Sequence, residues 1–156
     1  MEVTSRTQRS RLRQPAVLAW LRLARVFQKI DTRSERFFRS HSSNTTQFEL
    51  NTALFDVLAQ VGAARGMTQQ ELADALLVTK GNISQLLSKL EQAGMITRQQ
   101  TGRTNCLSLT EQGQALFNRV VPQQEGLIAD LLAPLSDDEQ RELLRLLRKL
   151  DHGITT

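Results

Sequence analysis

The 156-residue sequence has one cysteine, Cys106, two histidines and three prolines. A single cysteine excludes an internal disulfide and suits a reducing compartment. His41 and His152 are isolated in sequence, so no Cys/His cluster has metal-ligand spacing. No apolar run reaches the roughly 18 residues that a membrane span needs. The Arg-rich start lacks the apolar segment of a secretory signal. No glycine loop is spaced to cradle a phosphate, and no nucleophile, base and orienting group form a recognisable set. Enzymatic, metal-dependent and membrane functions are therefore disfavoured. The expectation is a cytoplasmic protein with no cofactor.

What is present has an ordinary globular balance, 40% hydrophobic and 23% charged, enough for one domain and a core. The net charge of +4 is unevenly placed. Residues 1–40 hold ten basic residues (Arg6, Arg9, Arg11, Arg13, Arg22, Arg25, Lys29, Arg33, Arg36 and Arg39) against three acidic ones. Residues 78–110 carry Lys80, Lys89, Arg98 and Arg103 against Glu91 alone. Two basic zones beside a neutral-to-acidic body suggest a polyanionic partner; a merely solubilising surface is the plainer alternative.

Pro15 suits the first turn of a long helix. Its apolar stripe runs through Ala16, Trp20, Leu23, Phe27, Ile30 and Phe37, interrupted by Ser34. That stripe is longer than one small domain needs and predicts helix-to-helix association. After the polar connector "SHSSNTTQ", Asn51 caps a helix that turns Leu54, Val57, Leu58 and Val61 inward and has Gly62 near its end. Thr68 and Glu71 form a T-x-x-E capping box that starts a helix at Gln69. Thr79 caps the next at Lys80. "MITRQQTGRTNCLSL" then reads as two strands around a Thr101-Gly102 turn. Thr110 opens a helix that Pro122 is expected to kink, and Ser136 with Glu139 opens the last one.

The segment "VTKGNISQLLSKLEQAG" has Ile83, Leu86, Leu87 and Leu90 on one face. Its other face carries Lys80, Gly81, Asn82, Ser84, Gln85, Ser88 and Lys89, mostly short hydrogen-bonding groups where a solvated helix usually carries charge pairs. Two short helices, 69–76 and 80–93, with a tight turn and a following hairpin make a winged helix-turn-helix. The leucines lock the second helix onto the first and leave its polar face for the major groove of double-stranded DNA. The amides of Asn82 and Gln85 match adenine N6 and N7; Ser84 and Ser88 pair with several bases. Lys80 and Lys89 suit phosphate or guanine, and Gly81 removes bulk. Thr68 is grouped with these DNA-binding candidates. Arg98 and Arg103 are assigned to the hairpin tip, within reach of sugar-phosphate or the minor groove.

The chain resembles the MarR family of bacterial transcription regulators. "LNTALFDVLAQVG", "MTQQELADALLVTKGNISQLLSKLEQAGMITR", "LSLTEQGQALF" and "LSDDEQRELLRLLRKL" carry the likeness, over about residues 12–152. The fold it implies is mainly α: a winged helix-turn-helix over 46–109, with the helix-turn-helix at 69–92 and a two-stranded wing at 95–109. Dimerisation helices flank it at 15–45 and 110–152. The resemblance further implies a homodimer on a pseudo-palindromic operator, usually a repressor released by a small molecule, here an aromatic or anionic effector. Family members often brace the wing arginine with an aspartate; "QQTGRTN" has no acid beside Arg103.

Several residues carry two readings. Trp20, Phe27, Phe48 and Phe55 either line an effector cavity between the dimer helices and the winged domain or are ordinary core. Cys106 is either a redox switch or incidental. The Arg6–Arg13 run is either a DNA-reaching arm or a solvated tail. A winged helix can also serve as a protein-binding adaptor, although the basic face argues against that use.

Overall fold

The computed structural model describes residues 14–41, 48–64 and 66–154. Helix α1 (Pro15–His41) leads to α2 (Thr52–Ala64), a short strand β1 (Met67–Thr68), α3 (Gln69–Leu76) and α4 (Lys80–Gln92). The hairpin β2 (Ile96–Thr101) and β3 (Thr104–Leu109) follows, then α5 (Glu111–Leu132) and α6 (Asp137–Gly153). The fold is the mainly helical winged helix-turn-helix that the element order predicts.

The caps form where the sequence places them. The Thr68 and Ser136 capping boxes are both closed, and the Thr79 and Thr110 hydroxyls accept from backbone amides of their first turns. Asn51 Oδ1 accepts the amide of Leu54 at 2.9 Å. The carboxylate of Glu35, on α1, adds a cap from outside by accepting the amide of Thr52 at 2.9 Å. The neighbouring Thr52 hydroxyl first, and then this amide bond and the charge of Arg39, hold the Glu35 pKa below the usual carboxylate range against the opposing effect of burial.

Two features depart from the sequence reading. The sheet has three antiparallel strands in the order β1-β3-β2, where two are expected. The extra strand pairs Met67 with Leu107 and Thr68 with Cys106; two residues are too few to show a strand period. The turn out of α3 runs through Leu77 at φ 52, left-handed backbone that usually selects Gly or Asn. Pro122 lies inside α5, which continues to Leu132.

The core gathers the inward faces of α2, α3, α4 and β3. Leu58, Leu72, Ile83, Leu87, Leu90 and Leu107 are fully buried. From α1 only Ser34 and Phe38 are buried. Ser34, the break in the stripe, lies where α1 meets α5, and its Oγ accepts from Gln124 Nε2 at 2.9 Å. The earlier part of the stripe stays open, with Trp20 64% and Phe27 67% exposed, and α6 buries none of its residues.

Asp56, partly buried on α2, has its pKa raised, first by burial and second by the charge of Asp31 on α1. A raised carboxyl pKa means that the ionised form costs stability above the folded-state pKa. The cost vanishes below the ordinary aspartate value of about 3.9, where both folded and unfolded states are protonated. Asp56→Asn is therefore expected to raise the thermal midpoint at pH 7 and to lose that advantage as the pH falls towards 3.9. Thermal unfolding across that range checks this; a gain independent of pH would indicate repacking instead.

Candidate nucleic-acid interface

Helix α4 is held by its apolar side, where Ile83, Leu87 and Leu90 are completely buried. The opposite side presents Lys80, Asn82, Gln85, Ser88 and Lys89 to solvent, with Ser84 partly covered. Among the described residues, the side chains of Lys80, Asn82, Gln85 and Lys89 make no hydrogen bond or ion pair within the protein. Their donors and acceptors are thus available to an outside partner. Ser88 differs, because its hydroxyl donates to the Ser84 carbonyl at 2.8 Å. Ser84 Oγ accepts from Gln69 Nε2 at 2.6 Å. Thr68, partly exposed, caps α3 by accepting from the Glu71 amide at 3.1 Å.

The wing is arranged differently from the sequence expectation. Thr101 pairs with Thr104 in register, so Gly102 and Arg103 form the turn. Gly102 has φ +64, a value glycine adopts without strain. Arg103 is exposed at this tip, without an ion pair among the described residues. Arg98 is not at the tip. It lies three residues down β2, opposite Leu107, about 10 Å from the turn at the usual strand rise. Its Nε donates to Glu91 Oε1 at 2.9 Å and its Nη1 to Gln69 Oε1 at 3.1 Å. Sequence reasoning missed Gln69 and Glu91 because neither contact is local. The Arg98 pairing also offsets the charge of Glu91, the only acid on α4.

The remaining candidates are dispersed. Phe55 is in the core, stacked on Phe38 with ring centroids 4.7 Å apart. Phe48 lines a cleft of about 1000 Å³ with Glu35, Arg39, Lys89 and Gln92. Trp20 and Phe27 lie on the open face of α1, so the four aromatics do not share a cavity in one chain. Cys106 is partly buried in the central strand between Thr68 and Gln99. His41 Nδ1 contacts the Phe37 carbonyl at 2.8 Å, and His152 Nδ1 the Arg148 carbonyl at 2.6 Å, uses internal to their helices. Of the basic residues near the start, Arg22, Arg25, Lys29, Arg33 and Arg36 are exposed on α1. The Arg6–Arg13 run lies outside the described residues. Among the described residues, no three potential metal-binding side chains converge and no helix is long and apolar enough to cross a membrane.

Comparison with known proteins agrees with this geometry. Residues 49–104 match the sequence profile of the MarR family. An HTH-type transcriptional regulator of Bacillus cereus is 38% identical over 134 residues, covering 85% of this chain and 86% of its own. The transcriptional regulator PecS of Dickeya dadantii is 30% identical over 135 residues, covering 83% and 77%. A MarR family regulator from Streptomyces coelicolor, solved in complex with DNA, superposes with a TM-score of 0.77 at 17% identity, covering 89% of this chain and 87% of that one. The chain belongs to the MarR family and is a DNA-binding transcriptional regulator rather than an enzyme.

Proposed function

We propose that the protein acts as a homodimeric repressor on a pseudo-palindromic operator and is released by a small aromatic or anionic effector. The observation that carries the DNA-reading part is the uncommitted face of α4. Lys80, Asn82, Gln85 and Lys89 have no internal partners among the described residues, while the helix beneath them is anchored by three fully buried side chains. Dimerisation is supported by the open apolar faces of α1 and α6. Two chains related by a two-fold axis would present their α4 helices to successive major grooves, about 34 Å apart. The cleft beside Phe48 is the candidate effector site because its lining joins α1 to α4, with Arg39 and Lys89 set among Glu35 and Glu49. An occupant would release DNA only by preferring the DNA-free arrangement. This activity belongs with chromosomal DNA in the cytoplasm.

The test begins by selecting bound fragments from genomic DNA to define the operator. Gln85→Ala and Asn82→Ala are each expected to cost about 1–3 kcal/mol on the operator and much less on random DNA. Lys89→Ala is expected to weaken both alike and to reduce the salt slope by about one phosphate contact. Equal losses on both DNAs for Gln85 and Asn82 would remove base reading from this face.

A further inference from the structure

Arg98, Glu91, Gln69 and Ser84 form one continuous chain of contacts across three elements. Arg98 bridges Glu91 and Gln69 at 2.9 and 3.1 Å, and Gln69 reaches Ser84 at 2.6 Å. The order of donors is determined. A guanidinium only donates, so the Gln69 atom facing Arg98 must be its carbonyl oxygen. The Gln69 amide nitrogen therefore faces Ser84, whose hydroxyl accepts and must send its own proton elsewhere. The chain starts and ends on α4, at residues seven apart, and spans two turns or about 10 Å of helix. In between it passes through β2 and the first residue of α3.

We infer that Arg98 is a positioning residue for DNA reading: it clamps the base of the wing to α4 through Glu91 and Gln69, and does not serve as a phosphate contact. The inference rests on the reading of α4 as the base-reading helix. Ile96 is buried and Arg98 stands opposite buried Leu107, whereas no residue of Gln99, Gln100 or Gly102–Cys106 is buried. Among the described residues, Arg98 is the outermost point at which a side-chain hydrogen bond ties the hairpin to the helices. Beyond the Thr68–Cys106 pair, one position further out, Arg103 is carried on a two-stranded ribbon whose angle to α4 depends on this clamp. The ion-paired side chains of Arg98 and Glu91 are 31% and 32% exposed, so water screens the pair only in part. Two of the five guanidinium donors are also occupied in the free protein.

The decisive variant is Glu91→Gln. Simple electrostatics says that removing an acid beside DNA tightens binding to any DNA. The clamp says the reverse for the operator: affinity falls about tenfold, the scale of one charged hydrogen bond, while random DNA is bound as well or better. Arg98→Gln is expected to lower operator affinity similarly with an unchanged salt slope. The double variant should be no worse than either single one, because both break one interaction. Arg98→Lys should fail to restore wild-type affinity, since one ammonium does not reproduce the planar fork. Thermal midpoints of the variants control for folding, and Glu91→Gln carries the test alone if Arg98 variants misfold. Tighter operator binding by Glu91→Gln, or a salt slope flattened by about one in Arg98→Gln, would overturn the clamp and make Arg98 a phosphate contact. Gln85→Ala separates the two readings. If it discriminates operator from random DNA while Glu91→Gln tightens both, only the clamp fails; if it does not discriminate, base reading by α4 fails.

Discussion

Gly113→Ala is expected to destabilise the fold by at least about 3 kcal/mol and to lower the thermal midpoint by about 6–12 °C. Gly113 lies in the first turn of α5, where that turn is pressed onto the start of the wing. A methyl group there would sit 1.9 Å from the Met95 carbonyl oxygen and 2.8 Å from its carbon. Both are backbone atoms, so no rotamer change relieves the clash. The backbone cannot shift cheaply either. The Met95 carbonyl accepts the Thr110 amide at 3.0 Å, and the Thr110 hydroxyl donates to the Gly94 carbonyl at 2.5 Å while accepting the Gly113 amide at 3.0 Å. Relief requires lifting α5, and with it Leu116 and Val120, out of the core. Gly81→Ala is the matched control, because an added methyl there meets nothing within 4 Å. It is expected to be neutral or to gain up to about 1 kcal/mol from helix propensity. Thermal unfolding of the two variants decides; a Gly113→Ala protein within about 1 kcal/mol of wild type would contradict the close contact.

Trp20→Glu combined with Phe27→Glu is expected to convert the proposed dimer to a monomer and to lower operator affinity by about 10²–10⁴-fold, the usual size of the advantage from two linked sites. Trp20 and Phe27 are two helical turns apart on α1 and remain 64% and 67% exposed. On α6, Leu144, Leu146 and Leu150 are about half exposed. Contiguous apolar surface along two long helices marks an association site. Glutamates placed within such an interface would be buried without partners, which a dimer does not tolerate. The core of the winged domain does not use either residue, so the monomer should keep its helical content and bind a half-site weakly. Sedimentation at micromolar concentration, with titration of operator and half-site, provides the readout. A double variant that remains dimeric and binds the operator normally would move the interface elsewhere.

The parts legible in the sequence are those whose causes are local. A capping box needs residues three apart, and both are found closed. The buried leucines of α2 and α4 follow from a period of 3.6 residues. The uncommitted face of α4 is legible for the same reason, since a helix determines what lies opposite its buried side. The tertiary structure decided everything that depends on partners far away in the chain. Arg98 reads as a tip residue until the hairpin register places it lower and Gln69, 29 residues earlier, arrives beside it. Ser34 reads as a flaw in an apolar stripe until Gln124, 90 residues later, donates to it. Phe48 and Phe55 look equivalent in sequence, yet one lines a cleft and the other is stacked in the core. Local dihedral and capping preferences act over about one helical turn, whereas these assignments depend on which surfaces meet once the helices have packed.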